Sequence, residues 1–171
     1  MAAMGIQLRG MTHDDVQGDA RAPKFHNVKA FYKNQQYDSA GEAEYAWRLD
    51  QRVRAGEVAD WERPPSSALT ACPTCAASVR DACQDKKGRP LSSFHKDRIT
   101  YRPDFYVIPI DGHSYYVDYK GARITETAAW KIKVKLWKLA IPFELRVAYA
   151  TGEEKVVCTG DDALTTKLGQ S

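Results

Sequence analysis

Residues 99–121 read ITYRPDFYVIPIDGHSYYVDYKG, and this stretch decides the fold. Aromatic and β-branched residues fill 99–108 and 115–120 and flank Pro109-Ile110-Asp111-Gly112, the composition of two strands joined by a hairpin. Gly121 ends the second strand. In an alternating strand Asp118 and Lys120 share one face, while Val117 and Tyr119 share the other. The hairpin returns Asp104 toward 118–120, so two acids and one lysine converge. A two-residue turn at Asp111-Gly112 would pair Asp104 with Tyr119 and aim it away from Asp118. The convergence therefore predicts a loop with an odd residue count, or a bulge.

C-terminal to this stretch, residues 126–139 read as a helix with Thr125 as N-cap. Pro142 bars its continuation, 143–149 forms a strand and 156–157 a last one. At 100° per residue, Trp130, Val134 and Trp137 fall on one flank of the helix and Ala129, Ile132, Leu136 and Leu139 on the other. Lys133 then lies mid-way along the buried face, where it needs an anion. Lys131, Lys135 and Lys138 form an exposed stripe, solvated or against a phosphate backbone.

N-terminal to it, residues 24–38 form a hairpin turning at Lys33-Asn34-Gln35. Ser39-Ala40-Gly41-Glu42 is a capping box that opens a helix running through Val53 and closed by Gly56. Glu42, Ala46, Leu49 and Val53 share its buried stripe, and Glu44 with Arg48 makes a solvated pair. The order of hairpin, helix, insertion, two strands, helix and strand is that of a mixed α/β (α+β) fold, one sheet with helices packed against it.

The insertion, residues 66–97, has little periodicity. Cys72-Pro73-Thr74-Cys75 sets two thiolates at the spacing that grips a tetrahedral ion, and Cys83 and His95 complete a Cys3His set for Zn2+. Such an ion is a structural clip. Lys86, Lys87, Arg89 and Lys96 would be free to touch a substrate. Cys158 reads as a buried small hydrophobe, His26 and His113 as surface residues, and Trp47, Trp61, Trp130 and Trp137 as core or core-edge.

A chain of 171 residues, 43% hydrophobic and 27% charged, is not globally disordered, and its length suits one catalytic domain. We place that domain at 24–158, between a loose arm (1–23) and a polar tail (159–171). The net charge of +3 is too small to establish a polyanion partner. No run of 18 apolar residues occurs, and Arg9, Asp14, Asp15, Asp19 and Arg21 stand where a signal peptide would be apolar, so the expectation is a cytoplasmic protein with no membrane partner.

Phosphodiester hydrolysis uses hard oxygen ligands around Mg2+ or Mn2+, which binds the phosphate and activates water, with a lysine to stabilise developing charge. Glu42 in a first helix, Pro103-Asp104, Asp118-Tyr119-Lys120 and a helix with a buried basic residue resemble the PD-(D/E)XK nuclease superfamily. More narrowly, Tyr37-Asp38-Ser39, Glu42-Ala43-Glu44-Tyr45, Gly56-Glu57-Val58, Trp61-Glu62-Arg63, Tyr101-Arg102-Pro103-Asp104-Phe105 and Asp118-Tyr119-Lys120-Gly121 resemble small phage proteins allied to endonuclease I and Holliday-junction resolvases. The match spans 24–149 apart from the insertion.

The resemblance implies a restriction-endonuclease-like core in which Asp104, Asp118 and the Tyr119 carbonyl hold Mg2+ or Mn2+. It makes Glu42 a further ligand, Lys120 catalytic and Lys133 auxiliary. Asp118 stands where many relatives have Glu, a shorter arm that shifts the ion toward the strand. The implied activity is an endonuclease on branched DNA that leaves a 5′-phosphate, serving phage recombination or replication in a bacterial host. A homodimer would cut both strands symmetrically. The run 72–98 resembles a small zinc-binding motif of actinobacterial and phage proteins. Two further readings use the same residues: an exonuclease or repair nuclease, and a zinc-stabilised DNA- or protein-binding module without turnover.

Overall fold

The structure is a computed structural model that describes residues 29–122 and 126–160. It comprises two compact units, Met1–Val58 and Ala59–Ser171. The expected arm at 1–23, His26, Thr125 and the tail beyond 160 lie outside the described residues.

In the first unit β1 (Ala30–Tyr32) and β2 (Gln35–Tyr37) pair antiparallel with Tyr32 opposite Gln35. The turn is therefore Lys33-Asn34 alone, one residue shorter than expected. Both residues take left-handed backbone, φ 49° and 60°, the twist that a two-residue hairpin requires. Helix α1 (Ala40–Arg54) opens directly after Ser39, where the capping box places its start. Its cap is the expected one: the Glu42 amide donates to Ser39 Oγ at 3.1 Å, and Ser39 Oγ donates to Glu42 Oε1 at 3.0 Å. Gly56 (φ 75°) closes it, with its amide on Val53 O (3.1 Å) and the Glu57 amide on Arg52 O (3.0 Å), a left-handed cap that favours glycine. Ala46 and Leu49 are buried and Arg48 pairs with Glu44 at 2.6 Å, both as the helical period predicts. Asp50 is buried as well, held by the Tyr32 hydroxyl and by Lys33 Nζ at 2.6 Å. Burial first, and the Asp50 contact second, push the Tyr32 phenol up to about 12. Trp47, expected at the core or its edge, is exposed.

In the second unit, β3 (Val58–Glu62), which starts at the boundary, joins β6 (Phe105–Pro109), β7 (Tyr115–Lys120), β8 (Glu144–Tyr149) and β9 (Glu154–Cys158) in a sheet of order β3-β6-β7-β8-β9. The β6–β7 and β8–β9 pairs are antiparallel and β7–β8 is parallel, so the sheet is mixed. A short ladder of β4 (Ser67–Ala68) and β5 (Thr100–Tyr101) stands at the base of the insertion. The strand expected over 99–108 is two pieces, β5 and β6. Pro103 lies in the break, where a residue without an amide proton cannot continue a ladder. Strand β3 was not foreseen.

Helix α2 (Ala128–Ala140) crosses from β7 to β8. Its N-cap is Thr127, whose Oγ1 accepts from the Trp130 amide at 3.2 Å. The expected helix face needs correction. Val134 and Trp137 are buried and Trp130 half-buried against Tyr101, Leu145 and Cys158; on the other flank Leu136 is half-buried against the same cluster, but Ile132 is 56% and Leu139 62% exposed. Ala129 and the Lys131 and Lys135 side chains are exposed, while Lys138 is half-buried. Tyr116 and Tyr101 meet the Trp137 ring edge-on at 5.0 and 5.7 Å, which fixes α2 over the face of β7 that carries Tyr116, Asp118 and Lys120.

Candidate functional site

The β6–β7 register pairs Phe105 with Val117 and Val107 with Tyr115. The residues between the last pair, 108–114, are odd in number, the parity that the convergence requires. One further step in this register sets Asp104 opposite Asp118. The Asp104 amide donates to Val117 O at 2.9 Å and its Oδ2 accepts from the Tyr119 amide at 2.7 Å, so Asp104 is held at the mouth of β6.

Asp118 is 4% exposed. Its Oδ2 accepts no hydrogen bond of acceptable geometry and meets the Lys120 ammonium as an ion pair. A buried carboxylate oxygen without a hydrogen-bond donor is costly, and the cost falls when a cation sits against it. Lys120 Nζ also lies 5.5 Å from the centre of the Trp130 ring, a cation–π contact.

Tyr101 belongs to this group, although sequence reasoning gave it no role. Its hydroxyl accepts from Trp130 Nε1 at 3.0 Å and faces Asp118. Burial, and then the Asp118 and Asp104 carboxylates, hold its phenol far above the ordinary range, so it stays protonated. The only signal available in sequence was its place two residues before Pro103-Asp104. Lys133 is half-buried, and its Nζ lies 5.8 Å from the Tyr101 ring. It therefore faces an aromatic ring, where an anion was expected. Glu42 belongs to the first unit, where its Oε2 also accepts from the Asp38 amide at 3.3 Å. The second unit thus brings together Asp104, Asp118, Lys120, Tyr101 and Trp130, with Lys133 beside them.

The cysteine loop forms a second centre. Ligand atoms of Cys72, Cys75, Cys83 and His95 all lie within 4.8 Å of one another, and among the described residues no other group of three or more Cys, His, Asp or Glu gathers so closely. Four donors around one tetrahedral ion stand roughly 3.5 Å apart, which Cys72 Sγ and His95 Nδ1 match at 3.3 Å. The loop is built for this. The Ala76 amide donates to Cys72 O at 2.8 Å and the Cys72 amide to Ala77 O at 2.9 Å, with Ala76 at φ 57°. Thr74 Oγ1 donates to Asp97 at 2.6 Å and ties this turn to the His95 segment. Backbone amides of Gln84 and Ala77 lower the Cys75 thiol to about 6, while burial raises that of Cys72. Beyond the centre, Lys86, Lys87 and Lys96 are exposed, but Arg89 is held by Asp85 at 2.7 Å. Cys158 is buried and His113 exposed, as expected.

Among the described residues no helix is long and apolar enough to cross a membrane. No curated protein and no solved structure matches the chain. Residues 22–155 match a family described as "Protein of unknown function (DUF1064)". That stretch is most of the chain, which therefore belongs to the DUF1064 family.

Proposed function

We propose that the second unit carries the site of a metal-dependent deoxyribonuclease, an endonuclease on branched DNA, built on a restriction-endonuclease-like sheet. The observation that carries this reading is the buried Asp118 carboxylate, with an oxygen that accepts no hydrogen bond, beside Asp104 and Lys120. A hard divalent cation fits this oxygen-rich pair. Asp104, Asp118 and the Tyr119 carbonyl would hold Mg2+ or Mn2+, which supplies the activated water. Lys120 is close enough to Asp118 to leave it for a phosphate oxygen once a cation takes its place. Glu42 is a further ligand and Lys133 an auxiliary group by resemblance alone; Glu42→Gln keeps the capping box and tests the ligand role by itself. Cys72, Cys75, Cys83 and His95 suit zinc, since three thiolates and one imidazole favour that ion over a hard cation.

The test is incubation of purified protein with labelled four-way junction, flap, linear duplex and single strand, in Mg2+, Mn2+ or EDTA. We expect cutting of branched substrate that requires the ion and is abolished by Asp118→Asn. Cleavage that survives Asp118→Asn would overturn the assignment. Attack from ends only would favour an exonuclease, and binding without any cut a non-catalytic module.

A further inference from the structure

Arg98 is 4% exposed. A guanidinium buried so deeply ordinarily meets a carboxylate, because carbonyl dipoles satisfy its protons without cancelling its charge. Among the described residues Arg98 has no such partner. Nε donates to Thr70 O at 3.1 Å, Nη1 to Asp81 O at 2.9 Å and Nη2 to Ser78 O. Its remaining polar contact is Nη1 to Cys83 Sγ at 3.5 Å, and its guanidinium carbon lies 5.0 Å from the centre of the Phe94 ring.

The missing anion is the centre itself. Three thiolates and a neutral imidazole around a divalent ion sum to one negative charge. We propose that Arg98 is the counter-ion of the Cys3His centre, a positioning residue that neutralises the loaded site through Cys83 and gathers its loop. The inference rests on the zinc reading of these four ligands and is independent of the nuclease reading.

The placement supports it in two ways. The carbonyls that Arg98 binds come from positions 70, 78 and 81, on both sides of the Cys72–Cys75 turn, so one side chain draws the loop around the ligands. Arg98 also directly precedes Ile99, whose carbonyl accepts from the Leu69 amide at 2.9 Å at the base of the insertion. Metal binding and closure of the loop thus share a residue.

The experiment compares zinc affinity, by competition with a chelating indicator, in the full chain and in Arg98→Gln, Arg98→Lys, Cys75→His and the double variant Cys75→His/Arg98→Gln. Co2+ absorption reports whether each keeps tetrahedral thiolate coordination. Loss of the counter-ion should weaken zinc about 10- to 100-fold, the usual effect of removing an outer-shell partner. Cys75→His makes a neutral Cys2His2 centre, and in that background Arg98→Gln should cost far less. An equal loss in both backgrounds would assign Arg98 a scaffold role and overturn the proposal, as would no loss in Arg98→Gln. If Arg98→Gln does not fold, Arg98→Lys decides: zinc affinity within about tenfold of the parent supports a charge role, and a larger loss overturns it. A parent chain that takes up no zinc sinks the zinc reading and this inference together.

Discussion

Cys72 and Cys75 lie on one turn, yet their thiols are shifted in opposite directions. Burial raises Cys72, whereas two backbone amides lower Cys75 to about 6. A lowered thiol is deprotonated above its own value, so in metal-free chains whose loop still holds the Gln84 and Ala77 amides against Cys75, Cys75 is a thiolate at neutral pH while Cys72 is a thiol. Iodoacetamide should therefore modify Cys75 first, with a rate that rises through about pH 6 and levels off by neutrality, read by peptide mass spectrometry over a pH series. Preferential labelling of Cys72 would contradict this order. Asp118 offers a similar contrast. Lys120→Met leaves its carboxylate buried without a cation and should cost about 3–5 kcal/mol, as breaking a buried pair does. If Mn2+ takes the same oxygen, it should raise the Tm of Lys120→Met more than that of the parent protein; equal shifts would place the ion elsewhere. The acid–lysine group was legible because strand alternation puts residues 118 and 120 on one face. Tyr101 was not, because its nearness to Asp118 comes from the packing of β5 under α2, which no local pattern encodes.

At the scale of the element, α2 separates what periodicity fixes from what it leaves open. The 3.6-residue repeat placed Trp130, Val134 and Trp137 together, and the sheet covers them. The same repeat gave an apolar flank at Ile132 and Leu139, which stays exposed, because an amphipathic pattern does not say how wide a neighbouring sheet will be. The start of the helix was two residues out for a tertiary reason. Glu126, a good helix former, accepts from the Tyr149 hydroxyl on β8, and the helix opens only after Thr127. Thr127→Ala should lower stability by about 1 kcal/mol, the usual worth of an N-cap, measured by urea unfolding. No change would mean that the Trp130 amide finds another acceptor. Pro103 shows the converse: the proline was plain in sequence, and its breaking of the 99–108 strand follows from its missing donor.

At the scale of the whole molecule, the insertion is the part least able to fold without help. Beyond Ala68 and Leu69 at its base, its buried core is Cys72, Ala77 and Cys83, joined by half-buried Cys75, Leu91 and Phe94, too little apolar surface to order a loop of this length. An ion held by the Cys3His group would supply what burial does not, since structural zinc contributes folding free energy directly. The loop closes on the β4–β5 ladder, where Ser67 faces Tyr101 and Ala68 faces Thr100, and Tyr101 is the residue turned toward Asp118. The state of the metal centre should therefore reach the acidic pair. Stripping zinc with 1,10-phenanthroline should open the loop to trypsin after Arg80, Lys86 or Lys87, all exposed, while the zinc-loaded chain resists. The stripped protein should also bind Mn2+ more weakly, since Tyr101 loses its tether. Equal cleavage rates with and without zinc would show that the loop is ordered by its hydrogen bonds alone, and Mn2+ binding untouched by stripping would uncouple the two centres.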